Sequence, residues 1–405
     1  AQRGHLRSFQ FIVEKGSEDL FKDDSENKIL MRRAISGGSL EIVKMLQARN
    51  ILLDVSADIE GLTPLHDAAR NPQALAMIGF LFANGADVNA RTNDGRSPYN
   101  IAEESGNKEA KSLILKHGGS PEPQKFPYLT GPYMGQDPPR NEPKRFAPGI
   151  VSPSHCTITV SPDGKEIYWA TGRQIMGSWI QDGRWTKPAA VSFSGQGSLS
   201  LYDDVPFITP DNKKLFFTSL RPLGSNSENK ENIWYVERTP SGWSEPRPVS
   251  AEVNAMQLHW QVSVSRSGTL YFGGNAKDSY GLSDIYCSKY VNGEYTKPIN
   301  LGPVINSNDG ETMPCIAPDE SFLIFYKIVL QRPSLYISFR AEDGQWLPPR
   351  MIERVSARVG AILSLDGKYL FFDNRWVSTN IIEELRPKEQ RRIKTEAFRT
   401  KTERE

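Results

Sequence analysis

Two hydrophobic rhythms divide the chain. Through residue 119 the apolar positions recur at helical spacing; Leu75, Ile78, Gly79 and Phe82 fall on one face, a stripe that a helix pair can bury only against a neighbouring pair. From residue 143 the apolar residues come in short runs, aromatic and β-branched, bounded by turn formers, which predicts strands. Cys156–Val160 is such a run, followed by Ile167-Tyr168-Trp169. Further second runs are Leu215–Phe217, Leu270–Phe272, Leu323–Phe325 and Leu370–Phe372. Third runs follow at Ile233–Val236, Asp284–Tyr286, Ser334–Ile337 and Asn380–Ile382. A fourth segment opens on an aromatic residue and soon meets proline: Trp185–Pro188, Trp243–Pro246, Tyr295–Pro298 and Trp346–Pro349.

Between the first and second runs of every unit stands one kind of turn. Ser161-Pro162-Asp163-Gly164 is echoed by Thr209-Pro210-Asp211-Asn212, Ser265-Arg266-Ser267-Gly268, Ala317-Pro318-Asp319-Glu320 and Ser364-Leu365-Asp366-Gly367. Pro presets the first central φ, Asp accepts backbone N–H bonds and Gly takes the left-handed position, so the tetrapeptide predicts a hairpin turn. The third positions, 163, 211, 267, 319 and 366, step by 48, 56, 52 and 47 residues. Four strands at such a period predict a five-bladed β-propeller with a proline-bearing outer edge. The fifth unit lacks a fourth segment. Pro143–Ile150 resembles Lys297–Val304, so this early strand is expected to complete the last blade and close the ring. Six blades stay open as an alternative, should the connector supply more than one strand.

The helical half carries Thr63-Pro64-Leu65-His66, with Asn84-Gly85-Ala86-Asp87 after it, then Ser97-Pro98 and a second copy ending at Gly118. Thr63 and Ser97 are placed to cap helices whose next residue is Pro. These residues resemble the ankyrin repeat, as do Gly37–Leu46 and, less completely, Gly4–Gly16. The turn-bearing half resembles the TolB-like, WD40-like propellers, and Tyr133–Pro139 with Phe146–Val151 resembles the lead-in of a bacterial subgroup. The fold class is therefore multidomain, α plus all-β: ankyrin repeats over 1–119, a Pro-rich linker over 120–142, a propeller over 143–387 and a charged tail over 388–405.

Charge narrows the function. The 49 Lys and Arg nearly balance the 48 Asp and Glu, a net +1, so no global field selects nucleic acid. The run Phe322–Leu330 is broken by Lys327 and too short to span a bilayer, so no membrane insertion is expected. Cys156, Cys287 and Cys315 show no CxxC spacing and are expected to be free thiols. The chain starts without Met and inside a repeat; the N-terminus is expected to be truncated, and the compartment stays open between periplasm and cytoplasm.

Six residues before each turn lie His155, Asp203, His259, Glu311 and Arg358, all ionisable. An innermost propeller strand starts at one mouth of the channel, so these predict a ring of side chains there. Arg173, Arg221 and Arg375 follow second strands and should return to that mouth; Trp260 is placed to stack on a ligand. His155, His259, Asp203 and Glu311 are suitable ligands for a divalent metal, whereas the arginines favour an anionic small molecule or a glycan. The competing reading is a solvated funnel whose charges pair with one another. Resemblance to ankyrin repeats implies that the tips Asp58, Glu60, Arg91, Asn93 and Arg96 contact a protein partner. His5, His66 and His117 read as structural. No GxSxG, HExxH, GxxxxGK[ST] or paired CxxC is present. The expectation is a monomeric, non-enzymatic binding protein with no cofactor; the alternative is a metal-assisted lyase or hydrolase at the channel mouth.

Overall fold

A computed structural model of the protein describes residues 24–49, 62–92, 95–120, 126–148, 150–151, 158–171, 174–194, 202–224, 230–329, 332–355 and 360–390. The chain divides into two compact units, Ala1–Phe126 with Pro148–Ile150, and Pro127–Ala147 with Val151–Glu405.

Three helix pairs build the described part of the first unit: α1 (Asp24–Ser36) with α2 (Leu40–Gln47), α3 (Pro64–Arg70) with α4 (Leu75–Ala83), and α5 (Pro98–Glu104) with α6 (Lys108–Lys116). Each of α3 and α5 begins on Pro, where the missing N–H is an orphan anyway. The Thr63 N–H donates to His66 Nδ1 at 3.0 Å, and Thr63 Oγ1 lies 2.8 Å from the same nitrogen. That leaves His66 Nε2 to donate to the Arg96 carbonyl, 3.1 Å away in the next repeat. In that repeat Asn100 replaces the histidine: its Oδ1 accepts from the Ser97 N–H at 2.9 Å. Asn71 Nδ2 donates to Ser36 O and Asn107 Nδ2 to Ala69 O, so each repeat is also tied to its predecessor. The buried stripe of α4 differs from the expected one. Met77, Ile78 and Leu81 are buried, while Phe82 is half-buried against the His117 ring and Gly79 faces open space. The uniform hydrophobicity of α4 hides its inner face, and its packing against neighbouring repeats decides it.

Among the described residues the second unit contains five antiparallel sheets of four or five strands and one two-stranded hairpin. β1 (Lys144–Arg145) comes first. Blade 1 follows with β2 (Ile158–Val160), β3 (Glu166–Ala170), β4 (Ile175–Gln181), β5 (Arg184–Trp185) and β6 (Ala189–Ala190). Blade 2 has β7 (Asp204–Ile208), β8 (Lys214–Ser219), β9 (Asn232–Thr239), β10 (Gly242–Trp243) and β11 (Arg247–Pro248). After the single turn α7 (Ala251–Asn254), blade 3 has β12 (Gln257–Val264), β13 (Leu270–Asn275), β14 (Asp284–Ser288), the side hairpin β15 (Tyr290–Val291) and β16 (Glu294–Tyr295), and β17 (Ile299–Asn300). Blade 4 has β18 (Gly310–Ile316), β19 (Phe322–Val329), β20 (Arg332–Phe339) and β21 (Arg350–Met351). Blade 5 has β22 (Ile362–Leu363), β23 (Tyr369–Phe372) and β24 (Arg375–Ser378), with β1 as its fourth strand. The inner strands β2, β7, β12, β18 and β22 neighbour one another in that order, and β22 returns beside β2, closing a ring of five.

The five turns are one turn. In each, the first residue's carbonyl accepts the fourth residue's N–H, at 2.9, 2.8, 3.0, 2.9 and 2.8 Å in chain order. The fourth residues, Gly164, Asn212, Gly268, Glu320 and Gly367, all have positive φ, between 58° and 86°. Where the first residue is hydroxyl-bearing and the third is Asp, the hydroxyl donates to Oδ1 at 2.6 to 2.7 Å.

Three further features complete the ring. Proline splits the fourth segments: in blade 2, β10 pairs the end of β9 and β11 its beginning, with Pro246, which has no N–H to donate, between them. The third strand of blade 5 is β24, not Asn380–Ile382, which instead forms the short helix α8 (Asn380–Glu383). Asp373 and Asn374, at φ 44° and 57°, make a two-residue left-handed hairpin that starts this strand early. Closure is as expected: Lys144 faces Trp376 and Arg145 faces Arg375, and the Phe146 N–H donates to Asn374 O at 3.0 Å. Phe146 and Tyr133 then pack their rings against Phe371 and Trp376.

Candidate functional site

The predicted mouth is built where each inner strand begins. Asp203, just before β7, is fully buried. Its Oδ2 accepts from Ser194 Oγ at 2.7 Å and Arg221 Nη2 at 2.8 Å, and its Oδ1 from Ser219 Oγ at 2.8 Å. Glu311, on β18, is equally buried and faces Lys327 across the ladder. It accepts from the Ser307 N–H at 2.9 Å and Ser307 Oγ at 2.6 Å, with Lys327 Nζ at 3.1 Å. Desolvation alone would lower the Lys327 pKa; its bonds to Glu311 and Asp309 outweigh that and raise it. Asp203 is thus held by a cation and a hydroxyl of its own blade together with Ser194, which follows blade 1, and Glu311 by a cation of its own blade and the Ser307 hydroxyl that precedes it.

Ser219 and Lys327 occupy the same place, ten residues after the turn opens; in blade 5 that place belongs to Asn374. Its side chain is buried, and neither its Oδ1 nor its Nδ2 has a hydrogen-bond partner. Arg375, beside it, reaches Asp373 at 3.3 Å and lies over the Phe372 ring. His155, Arg173 and Arg358 lie outside the described residues. So do the side chains of His259 and Trp260, although the backbone puts His259 on β12 opposite Gly273. Among the described residues, no group of three metal-ligating side chains comes together.

Two residues deeper the channel is filled. Gln261, fully buried on β12, donates from Nε2 to Ala361 O at 2.9 Å and to Pro314 O at 3.3 Å, joining blades 3, 4 and 5. The Gly360 N–H points at Met313 Sδ, 2.8 Å away. A Cβ on Gly360 would lie 2.6 Å from Gln261 Oε1 and 2.7 Å from Met313 Cβ. Val205, Gln261, Met313 and Gly360 all stand four residues before a turn, and those of blades 3, 4 and 5 meet. Val205 and Met313 have φ of 42° and 51°, and the ladders of β7, β12 and β18 all slip register here. A bulge with a non-glycine left-handed residue is strained, and it bends each strand at the channel.

Sequence reasoning also missed the ties between blades. Thr159 Oγ1 accepts from the Ile208 N–H at 3.1 Å, Ser263 Oγ from Ile316 at 3.0 Å, and Cys315 Sγ from Leu363 at 3.1 Å. All three acceptors stand two residues before their turn. Burial pushes the Cys315 thiol up to about 12, so it is an inert structural acceptor.

On the helical unit, Arg91 Nη1 donates to Gly95 O and Asn100 Oδ1, and Arg96 pairs with Glu104 at 2.9 Å. Asp58, Glu60 and Asn93 lie outside the described residues.

Comparison with known proteins concerns this unit. Residues 1–92 match the family model for ankyrin repeats, in three copies. The chain is 30 % identical over 118 residues to a transient receptor potential cation channel subfamily A member 1 homolog of Caenorhabditis elegans, which covers 29 % of this chain and 10 % of that protein. It is 32 % identical over 108 residues to the palmitoyltransferase AKR1 of Candida glabrata, covering 26 % of this chain and 14 % of the relative. The chain thus spans a small fraction of the curated relatives it matches. Ankyrin repeats at the N-terminus are followed by a five-bladed ring. Among the described residues, no helix is long and apolar enough to cross a membrane.

Proposed function

We propose that the protein is a non-enzymatic binding protein of two surfaces, with ankyrin tips for a protein partner and the propeller mouth for an anionic or glycan ligand. The ring is read as TolB-like, and the domain limits as 1–119, 120–142, 143–387 and 388–405, with residues 127–142 laid onto the ring. The Trp185 N–H, donated to Leu129 O, and the Ser378 N–H, donated to Arg140 O, support that placement. The observation that carries the mouth reading is Asn374, a buried amide with donor and acceptor both unused at the end of the inner strands. A ligand hydroxyl can donate to its Oδ1 or accept from its Nδ2, a ligand carboxylate can accept from Nδ2, and Arg358, Arg173 and Trp260 are the further candidates for contact.

The metal-assisted reading needs Asp203 and Glu311 as ligands. Both already accept bonds from a cation and from hydroxyls, and a metal would have to displace them. Calorimetric titration with a panel of acidic glycans and dicarboxylates tests the choice. Saturable binding that Asn374→Ala weakens supports a ligand mouth. Stoichiometric zinc or manganese in the purified protein, lost on His155→Ala/His259→Ala, would support the metal site instead.

A further inference from the structure

The other end of the ring, where the five turns lie, carries a cavity of about 670 Å³ between blades 3 and 4. The third and fourth turns and the β15–β16 hairpin frame it, and Arg266, Lys289, Tyr290, Glu320 and Arg340 are among its lining residues. Both turns depart from the repeated pattern at this place. In the third, Arg266 stands where three other turns have Pro, and Ser267 stands where all four others have Asp. In the fourth, the left-handed position is Glu320, at φ 59°, where the others have Gly or Asn. An L-residue there costs about 1–2 kcal/mol, so its placement calls for compensation.

Glu320 finds that compensation inside the cleft. It accepts from Ser267 Oγ at 2.8 Å, Tyr271 OH at 3.1 Å and Arg340 Nη1 at 2.8 Å. The Arg340 guanidinium in turn lies 4.4 Å above the Trp346 ring. Asp319, on the rim, is engaged by the N–H and hydroxyl of Ser321. The same architecture recurs between blades 1 and 2, where Arg238 lies over Trp243 and is bound by Glu166 and Asn212. There Pro162 and Trp179 stand at the positions of Arg266 and Lys289. Between blades 3 and 4 those positions are cationic: the side chains of Arg266 and Lys289 are exposed and make no hydrogen bond or ion pair with any described residue. Beside them Val291 is 48 % exposed and Tyr290 39 %; Lys214 Nζ holds the Tyr290 hydroxyl at 3.2 Å and lies 4.4 Å from its ring centroid, so the apolar surface next to the two cations is Val291 and the remainder of the tyrosine ring.

We propose that this cleft binds an acidic peptide segment of a protein partner, its carboxylates on Arg266 and Lys289 and an apolar side chain against Tyr290 and Val291. The carboxylates of Glu320 and Asp319 in the same cleft oppose a continuous polyanion such as a nucleic acid. Separate carboxylates spaced along a peptide can avoid them. This site stands at the opposite end of the inner strands from the mouth and does not rest on it.

The test is fluorescence anisotropy of the full chain with a fluorescein-labelled octapeptide alternating glutamate with leucine and phenylalanine, at low and moderate salt. The expected result is saturable binding that weakens with salt and falls at least about tenfold in Arg266→Glu/Lys289→Glu. Lys165→Glu/Lys213→Glu makes the same charge change on the first two turns and should alter affinity less than about threefold. Should the first variant fail to fold, Arg266→Gln/Lys289→Gln takes its place, with the same direction expected. Equal losses in the two charge reversals, absence of saturable binding to the unaltered protein, or displacement of the peptide by a duplex oligonucleotide at lower concentration would overturn the proposal.

Discussion

His66 and Asn100 hold one position in successive repeats with different chemistry. Both accept the N–H of the residue capping their helix, but only His66 can be protonated. Burial lowers its pKa to about 4, well under the 6.5 of an exposed imidazole. The unfolded chain therefore binds the proton more readily between those values. Stability is full above pH 6.5 and is lost as pH falls toward 4, about 2 kcal/mol of it by pH 5. His66→Asn should keep the cap and flatten that dependence, as read by urea midpoints of the helical transition at pH 7 and pH 5. Two glycines give a contrast of the same scale. Gly360→Ala drives a Cβ into Gln261 and Met313 and should destabilise the ring by about 1–3 kcal/mol. Gly79→Ala meets nothing within 4 Å inside α4 and should stabilise by about 0.5–1 kcal/mol. Thermal denaturation of the two variants would distinguish them. The turn residues were legible in the sequence because each acts within four residues of itself. Gln261 and Gly360 were not, because their roles need three blades at once.

At the scale of elements, inner strands were legible and outer ones only partly. Alternation and turn chemistry fix a hairpin locally, so β3, β8, β13, β19 and β23 fall on the expected second runs and β9, β14 and β20 on the expected third runs, whereas β4 falls on no expected run. The third strand of blade 5 escaped because Trp376-Val377 and Ile381-Ile382 give equal apolar pairs, and only the Asp373–Asn374 turn sets its start. The aromatic-proline segments were found, but the division of each into two short pairings follows from backbone donors that sequence patterning does not count. The ties between blades were hidden as well. Thr, Ser and Cys two residues before a turn read as ordinary strand positions until the next blade is beside them. Ser263→Ala would leave the buried Ile316 N–H without its acceptor and should destabilise by about 1–3 kcal/mol, whereas an exposed control such as Ser241→Ala should change little. Chemical denaturation of the two variants checks this.

For the whole molecule, the order of scaffolds was readable from two periods, and the candidate mouth was readable as a set of positions. What those positions do depends on neighbours. Asp203 and Glu311 are each held by a cation and at least one hydroxyl, while Asn374, which no motif marks, and Nη1 of Arg221 are buried with unused hydrogen-bonding groups. The cleft at the turn end became visible only where two turns departed from their shared pattern. All of these placements require that the early strand and the last hairpin belong to one blade. Arg145 and Arg375 face each other in a non-hydrogen-bonded antiparallel pair, the geometry that brings Cα atoms closest. The direct measurement is oxidation of Arg145→Cys/Arg375→Cys in the full chain, followed by peptide mapping and thermal unfolding. A 145–375 crosslink forming in high yield and raising the unfolding temperature of the ring is the predicted result. Persistent free thiols at both positions, or pairing of either with a native cysteine instead, would contradict a ring closed by β1.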